Sequence, residues 1–276
     1  MSRSGDPFTG IRLKRQRAWD EINSLKADIR AFVESDPYEP RIKFDGKTHW
    51  LTVSVHTKKG PDSMWGVRIG EIVHNLRSAL DHVVWQLFIK ANKRTPRLPS
   101  KLQFPIVETK AGFDARAVPI QLNGIAQNAI ALIRSEQPFP VSEGGTGEGP
   151  KSPLWHLAEL SNADKHRTLH VTGTTLTSYS VNLTLTRDVS GVQRHQKCGP
   201  GPIQEDTVLE RAYFPGVTEW PFKERQVEGQ LGVDVAFDLA TPALGGWIVI
   251  STLIDIANRT DRILHRLGID IFRIEL

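Results

Sequence analysis

Apolar residues recur every three or four positions through most of the chain, and every second position in one later block. Trp19, Ile22, Leu25, Ile29 and Phe32 mark one face of a helix over Ile11–Ser35, which Pro37 stops. Arg41–Phe44 and Thr48–Val55 flank Asp45-Gly46, a hairpin signal with alternating apolar residues on its second arm. A long helix is predicted from Asp62 to Asn92, with Ile69, Val73, Leu76, Leu80, Val83 and Leu87 on its seam. Pro96 and Pro99 end it, and Gln103–Val118 shows no period. Gly124–Glu136 reads as a shorter helix, Pro138–Pro150 as a loop, and Ser152-Pro153 as the capped start of a helix to Asp164.

The grammar changes between Thr168 and Leu239, where HVTGTTLTSYSVNLTLT, VLERAYF and VEGQLGVDVAFDL are rich in Thr and Val and alternate as strands do. Gly246–Leu267 returns to helical spacing through Ile250, Leu253, Ala257, Leu264 and Leu267. The order predicts an α+β fold in one domain over 1–276. Its expected form is a helical bundle from 8–167 and 241–270, with an antiparallel β-rich insertion at 168–240 and a small N-terminal hairpin.

Composition adds bounds rather than chemistry. With 39% hydrophobic and 24% charged residues the chain is that of an ordinary globular protein. Its single cysteine, Cys198, excludes an internal disulfide and a thiolate zinc cage. MSRSGDPFTG carries no apolar signal core, and the run from Trp247 to Ala257 is too short and polar to span a bilayer. The expectation is a cytoplasmic protein without membrane contact. The net charge of +4 is concentrated: Arg12, Lys14, Arg15 and Arg17 crowd the first helix, and Lys90, Lys93, Arg94, Arg97 and Lys101 follow the long one. Such clusters suit phosphate groups, and they equally suit a solvated surface.

The long helix holds the candidate chemistry. Opposite its seam, at 100° per residue, His74, Asn75, Arg77, Ser78, Asp81 and His82 share one arc with Trp85. A purely solvated face rarely carries a tryptophan, so this face is expected to meet a second layer, a partner or a ligand.

Arg77-Ser-Ala-Leu-Asp-His82 resembles the Arg-x4–6-His motif of the HEPN superfamily, helical bundles that include metal-independent ribonucleases. The resemblance implies that Arg77 neutralises a scissile phosphate while His82 moves the proton of an attacking 2′-hydroxyl. It also implies an RNA partner, a homodimer and a toxin or defence role, with no cofactor and no metal. Ser78 stands where the family commonly has Asn, Asp or His, and Arg259 and His265 repeat the spacing on the last helix. Arg77 and Asp81, at i and i+4, also form an ordinary helix-surface ion pair on this spacing.

A second run, Asp164-Lys165-His166-Arg167, sits where a helix passes into a strand. NLRSALDH together with DKHR is similar to a group of uncharacterised bacterial and phage proteins, and suggests that Asp81 and His82 face Lys165 and His166. His74, Asp81, Lys165, His166 and Arg167 are therefore supporting candidates, and Arg12, Lys14, Arg15, Arg17, Lys93 and Arg94 candidate nucleic-acid contacts. Two other readings stay open. One is a non-catalytic interaction protein that uses the polar face and the β-rich block. The other is a metal site resembling DinB-like bundles, drawn from His74, His82, His156, Asp164 and His166.

Overall fold

The computed structural model describes residues 6–166, 173–182, 184–186, 189–197, 199–223, 228–239, 241 and 244–276. Its helices are α1 (Thr9–Glu34), α2 (Met64–Asn92), the short α3 (Lys110–Gly112), α4 (Gln127–Ser135), α5 (Pro153–His166) and α6 (Val249–Leu267). The strands are β1 (Tyr38–Asp45), β2 (Trp50–Thr57), β3 (Gly173–Asn182), β4 (Gln193–Lys197), β5 (Gly201–Ile203), β6 (Val208–Tyr213) and β7 (Glu228–Ala236).

α2 is the axis of the helical layer and packs against α1, α5 and α6. Its predicted seam is buried, and so are Ile72 and Ala79 on one flank of it and Val84 and Phe88 on the other. A helix covered on two sides keeps only a narrow polar stripe, which is why its apolar content exceeds that of a one-sided amphipathic helix. Arg68 fastens it to α1, donating to Glu21 and Asp28 at 2.5 Å each and to Ser24 at 2.9 Å. At the other side of α1, Asp261 of α6 accepts from Arg15 at 2.7 Å and from the Trp19 indole at 2.9 Å.

The expected mainly helical, HEPN-like bundle with an inserted sheet is not what forms. The class is α+β, but the strands make two sheets, one ordered β1-β2-β6-β4 and the other β5-β3-β7, all antiparallel. The N-terminal hairpin is thus half of the larger sheet and not a small appendage. Its physical reason lies in β2, where Leu51, Val53 and Val55 are buried along one face while the outer edge still offers a row of unpaired amides. β6 satisfies that edge, with Leu51 opposite Ala212 and Val53 opposite Glu210. Tyr38 meets Thr174 at 2.5 Å, and the Tyr179 hydroxyl donates to the Leu209 carbonyl at 3.2 Å, so side-chain hydrogen bonds join the two sheets.

The hairpin turn is wider than Asp-Gly suggests. Pairing ends at Asp45 and Trp50, leaving a four-residue loop in which His49 adopts φ +61°. Gly46 is required for a different reason: a Cβ there would stand 1.9 Å from the Thr218 carbonyl oxygen.

A buried ion network closes the far end of the helical layer. Glu136, 2% exposed, lies between Arg259, 6% exposed, and Arg266. Arg259 reaches its carboxylate at 3.4 Å and its carbonyl at 3.3 Å, and Glu148 at 3.5 Å. Removing the central carboxylate strands a buried guanidinium, which typically costs about 3–5 kcal/mol. Glu136→Ala is therefore expected to lower unfolding stability by that order in chemical denaturation. A loss under about 1 kcal/mol, the value of an exposed pair, would show that the network is not structural.

Candidate functional site

Five residues apart on a helix is about 140° of rotation, so Arg77 and His82 leave α2 in different directions. Arg77 turns under the segment after the helix. Its Nη2 donates to the Phe104 carbonyl at 2.6 Å and lies 3.4 Å from Asp81 Oδ1. The same Oδ1 accepts from the Phe104 amide at 2.8 Å. One turn of α2 thereby satisfies both polar groups of a residue whose ring is fully buried. Burial lowers the pKa of Arg77 from its ordinary value and the Asp81 charge opposes that shift. The guanidinium remains charged, but its charge and donors are directed inward.

The segment that Phe104 opens reads as irregular in sequence, and side chains hold it. Gln137, fully buried, donates to the Pro105 carbonyl at 2.9 Å and accepts from the Val107 amide at 3.1 Å. Phe104–Val107 is therefore a strap clamped by α2 on one side and by the residue next to Glu136 on the other.

His82 stays exposed on the opposite side of Asp81. With Asp81, Trp85, Gln86, Pro99 and Leu102 it lines a cleft of about 380 Å³, of which Arg77 is not a part. Partial desolvation lowers the imidazole pKa first and the charge of Lys14 second, with Asp81 opposing. Trp85 is half-buried at this cleft, which accounts for a tryptophan on a polar face. Gln86 donates to the Pro7 carbonyl at 3.1 Å, so the chain preceding α1 caps one end.

A second cleft of about 290 Å³ shares Leu102 with the first. Arg94, Arg97 and Lys101 line it over a floor that includes Phe88, Leu102 and Pro119. None of the three cations has an ion-pair partner among the described residues. The first-helix cluster differs. Arg12 pairs with Asp6 and donates to the Glu275 carbonyl, Arg15 pairs with Asp261, and Arg17 lies 3.3 Å from Glu21. Lys14 is the member of that cluster whose charge acts on His82. Lys93 caps α2 with φ +55° and is exposed beside Arg94.

The remaining candidates disperse. His74 is exposed on α2 and does not line either cleft. Asp164 meets α2 at Gly70, where an added Cβ would stand 2.3 Å from its carboxylate. That point is twelve residues, or about 18 Å along the axis, from His82. Lys165 and His166 occupy the last turn of α5, and Arg167 and Cys198 lie outside the described residues. Arg259 is consumed by Glu136, while His265 is exposed. Among the described residues no three His, Cys, Asp or Glu side chains converge as a metal site. His156 is buried instead: its Nε2 lies 3.1 Å from the Pro150 carbonyl and its ring meets Trp247 edge to face at 4.7 Å. No helix is long and apolar enough to cross a membrane.

Sequence reasoning missed the Phe104 strap, Gln137 and the Glu136 network. A polar residue such as Gln137 or Glu136 beside a helix end gives no sign of burial until its partners from distant segments are known.

The two perturbed histidines make a test. Burial lowers the pKa of His156, with the Pro150 and Asp255 contacts opposing, as desolvation and Lys14 lower that of His82. A depressed imidazole binds fewer protons folded than unfolded, so stability is complete above the unfolded value of about 6.5 and declines as pH falls through the folded values. In an NMR titration both rings are expected to have midpoints below 6.5, and acidification past that point to lower the unfolding temperature. Midpoints at or above 6.5 would contradict the geometry.

Compared with known protein families, curated proteins and solved structures, the chain matches none.

Proposed function

We propose that the chain is a non-catalytic RNA-binding protein that holds a single strand along the outer end of α2. The carrying observation is that Arg94, Arg97 and Lys101, without ion-pair partners among the described residues, line a cleft that shares Leu102 with the His82–Trp85 cleft. Cations along one cleft attract a phosphate backbone, and a half-exposed tryptophan beside them offers a face on which a base stacks. His82 supplies a further donor in the adjoining cleft. The catalytic half of the expectation is not carried forward, because Arg77 donates to Phe104 and is neutralised by Asp81. A phosphate would have to displace both.

One observation favours a second reading. Leu98 is 59% and Ile120 47% exposed, and both line the basic cleft. Exposed apolar residues beside cations also fit an acidic, amphipathic segment of a partner protein.

Fluorescence anisotropy with a short single-stranded RNA separates these readings. Binding is expected at low salt, and the Arg94→Ala/Arg97→Ala/Lys101→Ala variant should reduce the slope of log K on log salt by about 2, at roughly 0.7 per phosphate contact. Trp85→Ala should weaken binding by about 1–3 kcal/mol. The RNA should stay intact on a gel. No binding at low salt, or binding that neither variant changes, would remove the proposal. Binding of an acidic peptide in its place would favour the second reading, and RNA cleavage lost in His82→Ala would restore the nuclease.

A further inference from the structure

On the outer face of α2, Asp81 lies one turn from Trp85 and His82 one turn from Gln86, so the four side chains are neighbours on the helix surface. They line one cleft together with Pro99 and Leu102. Trp85 is half-buried on the helix side, while the exposed Pro99 and the buried Leu102 belong to the chain that follows the helix. The start of α1 bounds the cleft as well. A Cβ at Gly10 would stand 3.5 Å from His82 Nδ1, and the Pro7 carbonyl accepts from Gln86 Nε2 at 3.1 Å. A space bounded by an indole and by apolar side chains suits a flat ring.

The polar groups left to that space are acceptors. Asp81 serves the interior through one oxygen: its Oδ1 accepts from the Phe104 amide at 2.8 Å and lies 3.4 Å from Arg77 Nη2. Its Oδ2 makes no hydrogen bond or ion pair among the described residues, and the side chain is 29% exposed. Gln86 has its Nε2 anchored on Pro7, and its Oε1 has no partner among the described residues.

A carboxylate repels phosphate, so an Asp in a cleft that takes RNA meets a base and not the backbone. Guanine is the base whose Watson–Crick edge carries two adjacent donors, N1–H and the 2-amino group. Adenine and cytosine place an acceptor beside their amino group, and uracil flanks its N–H with two carbonyls. Each of these would set a lone pair against Oδ2, whereas both guanine donors bond to acceptors.

We infer that the His82–Trp85 cleft selects guanine, stacked on Trp85 with N1–H and the 2-amino group donating to Asp81 Oδ2 and Gln86 Oε1. The inference rests on the RNA-binding reading, and adds to it a base preference that the cations of the neighbouring cleft cannot supply.

Anisotropy titrations of the full chain with short oligouridine strands, the central position varied among uridine, guanosine, inosine, adenosine and cytidine, test it. The guanosine strand should bind at least about tenfold tighter than the all-uridine strand, the discrimination of one good side-chain–base pair. Inosine, which lacks the 2-amino group, should fall between them. Arg94→Ala/Arg97→Ala/Lys101→Ala should weaken every strand alike and keep the ratio. Asp81→Asn should erase it. Its Oδ1 position still meets two donors, from Phe104 and Arg77, so the new amide turns its NH2 towards the cleft. Circular dichroism and slow exchange of the Phe104 amide check that fold; if it fails, Gln86→Met carries the same expectation.

Guanosine monophosphate at the strand's own concentration should not displace the guanosine strand; displacement would assign the cleft to a free nucleotide and overturn the inference. If no strand binds at low salt, the RNA reading fails and guanine selection fails with it. If all strands bind within about twofold of one another, or a folded Asp81→Asn variant keeps the wild-type ratio, the RNA reading stands and guanine selection is overturned.

Discussion

A fully buried residue cannot leave its amide and carbonyl to water, and at Phe104 both are satisfied by one turn of α2. Each unpartnered buried backbone group would cost about 1–3 kcal/mol, so the Arg77–Asp81 pair is fixed by a need of the backbone. The constraint propagates. Pro105 and Val107 are held by Gln137, and the adjacent Glu136 holds Arg259 and Arg266 of α6. A continuous polar relay thus runs from α2 through the strap and the end of α4 into α6. It fixes the relation among helices whose apolar seams alone would permit sliding.

The candidate clefts depend on the same relay. Leu102, two residues before Phe104, forms part of both, so the clamp sets the wall that divides them. On one side Trp85 and His82 remain accessible, and on the other three cations face outward. The polar face of α2 therefore has two uses that a helical wheel merges: Arg77 and Asp81 serve the interior, while His82 and Trp85 serve a surface. The Arg-x4-His spelling joins residues that belong to different uses.

Local periodicity made the helices legible, because each seam is encoded within a few turns of sequence. The long helix, the hairpin and the strand character of the later block all follow from spacing. The joining of β2 to β6 did not, since an edge strand carries no mark of which distant strand will satisfy it. The same holds for the strap: Phe104–Val107 has no period because its hydrogen bonds go to side chains of other elements. At the site, Trp85 on a polar arc singled out a residue that lines a cleft, and the basic run after α2 holds Arg94, Arg97 and Lys101, which line the neighbouring one. The burial of Arg77 depended on a segment whose path only tertiary structure defines.

Amide hydrogen exchange at Phe104 tests the clamp most directly. In the wild type this amide should exchange as slowly as those in the middle of α2, although it lies in no helix or strand. In Asp81→Ala its exchange should accelerate by at least about tenfold, the equivalent of 1.4 kcal/mol, with the centre of α1 unaffected. Rapid exchange in the wild type, or unchanged exchange in the variant, would contradict the assignment of Arg77 and Asp81 to the interior.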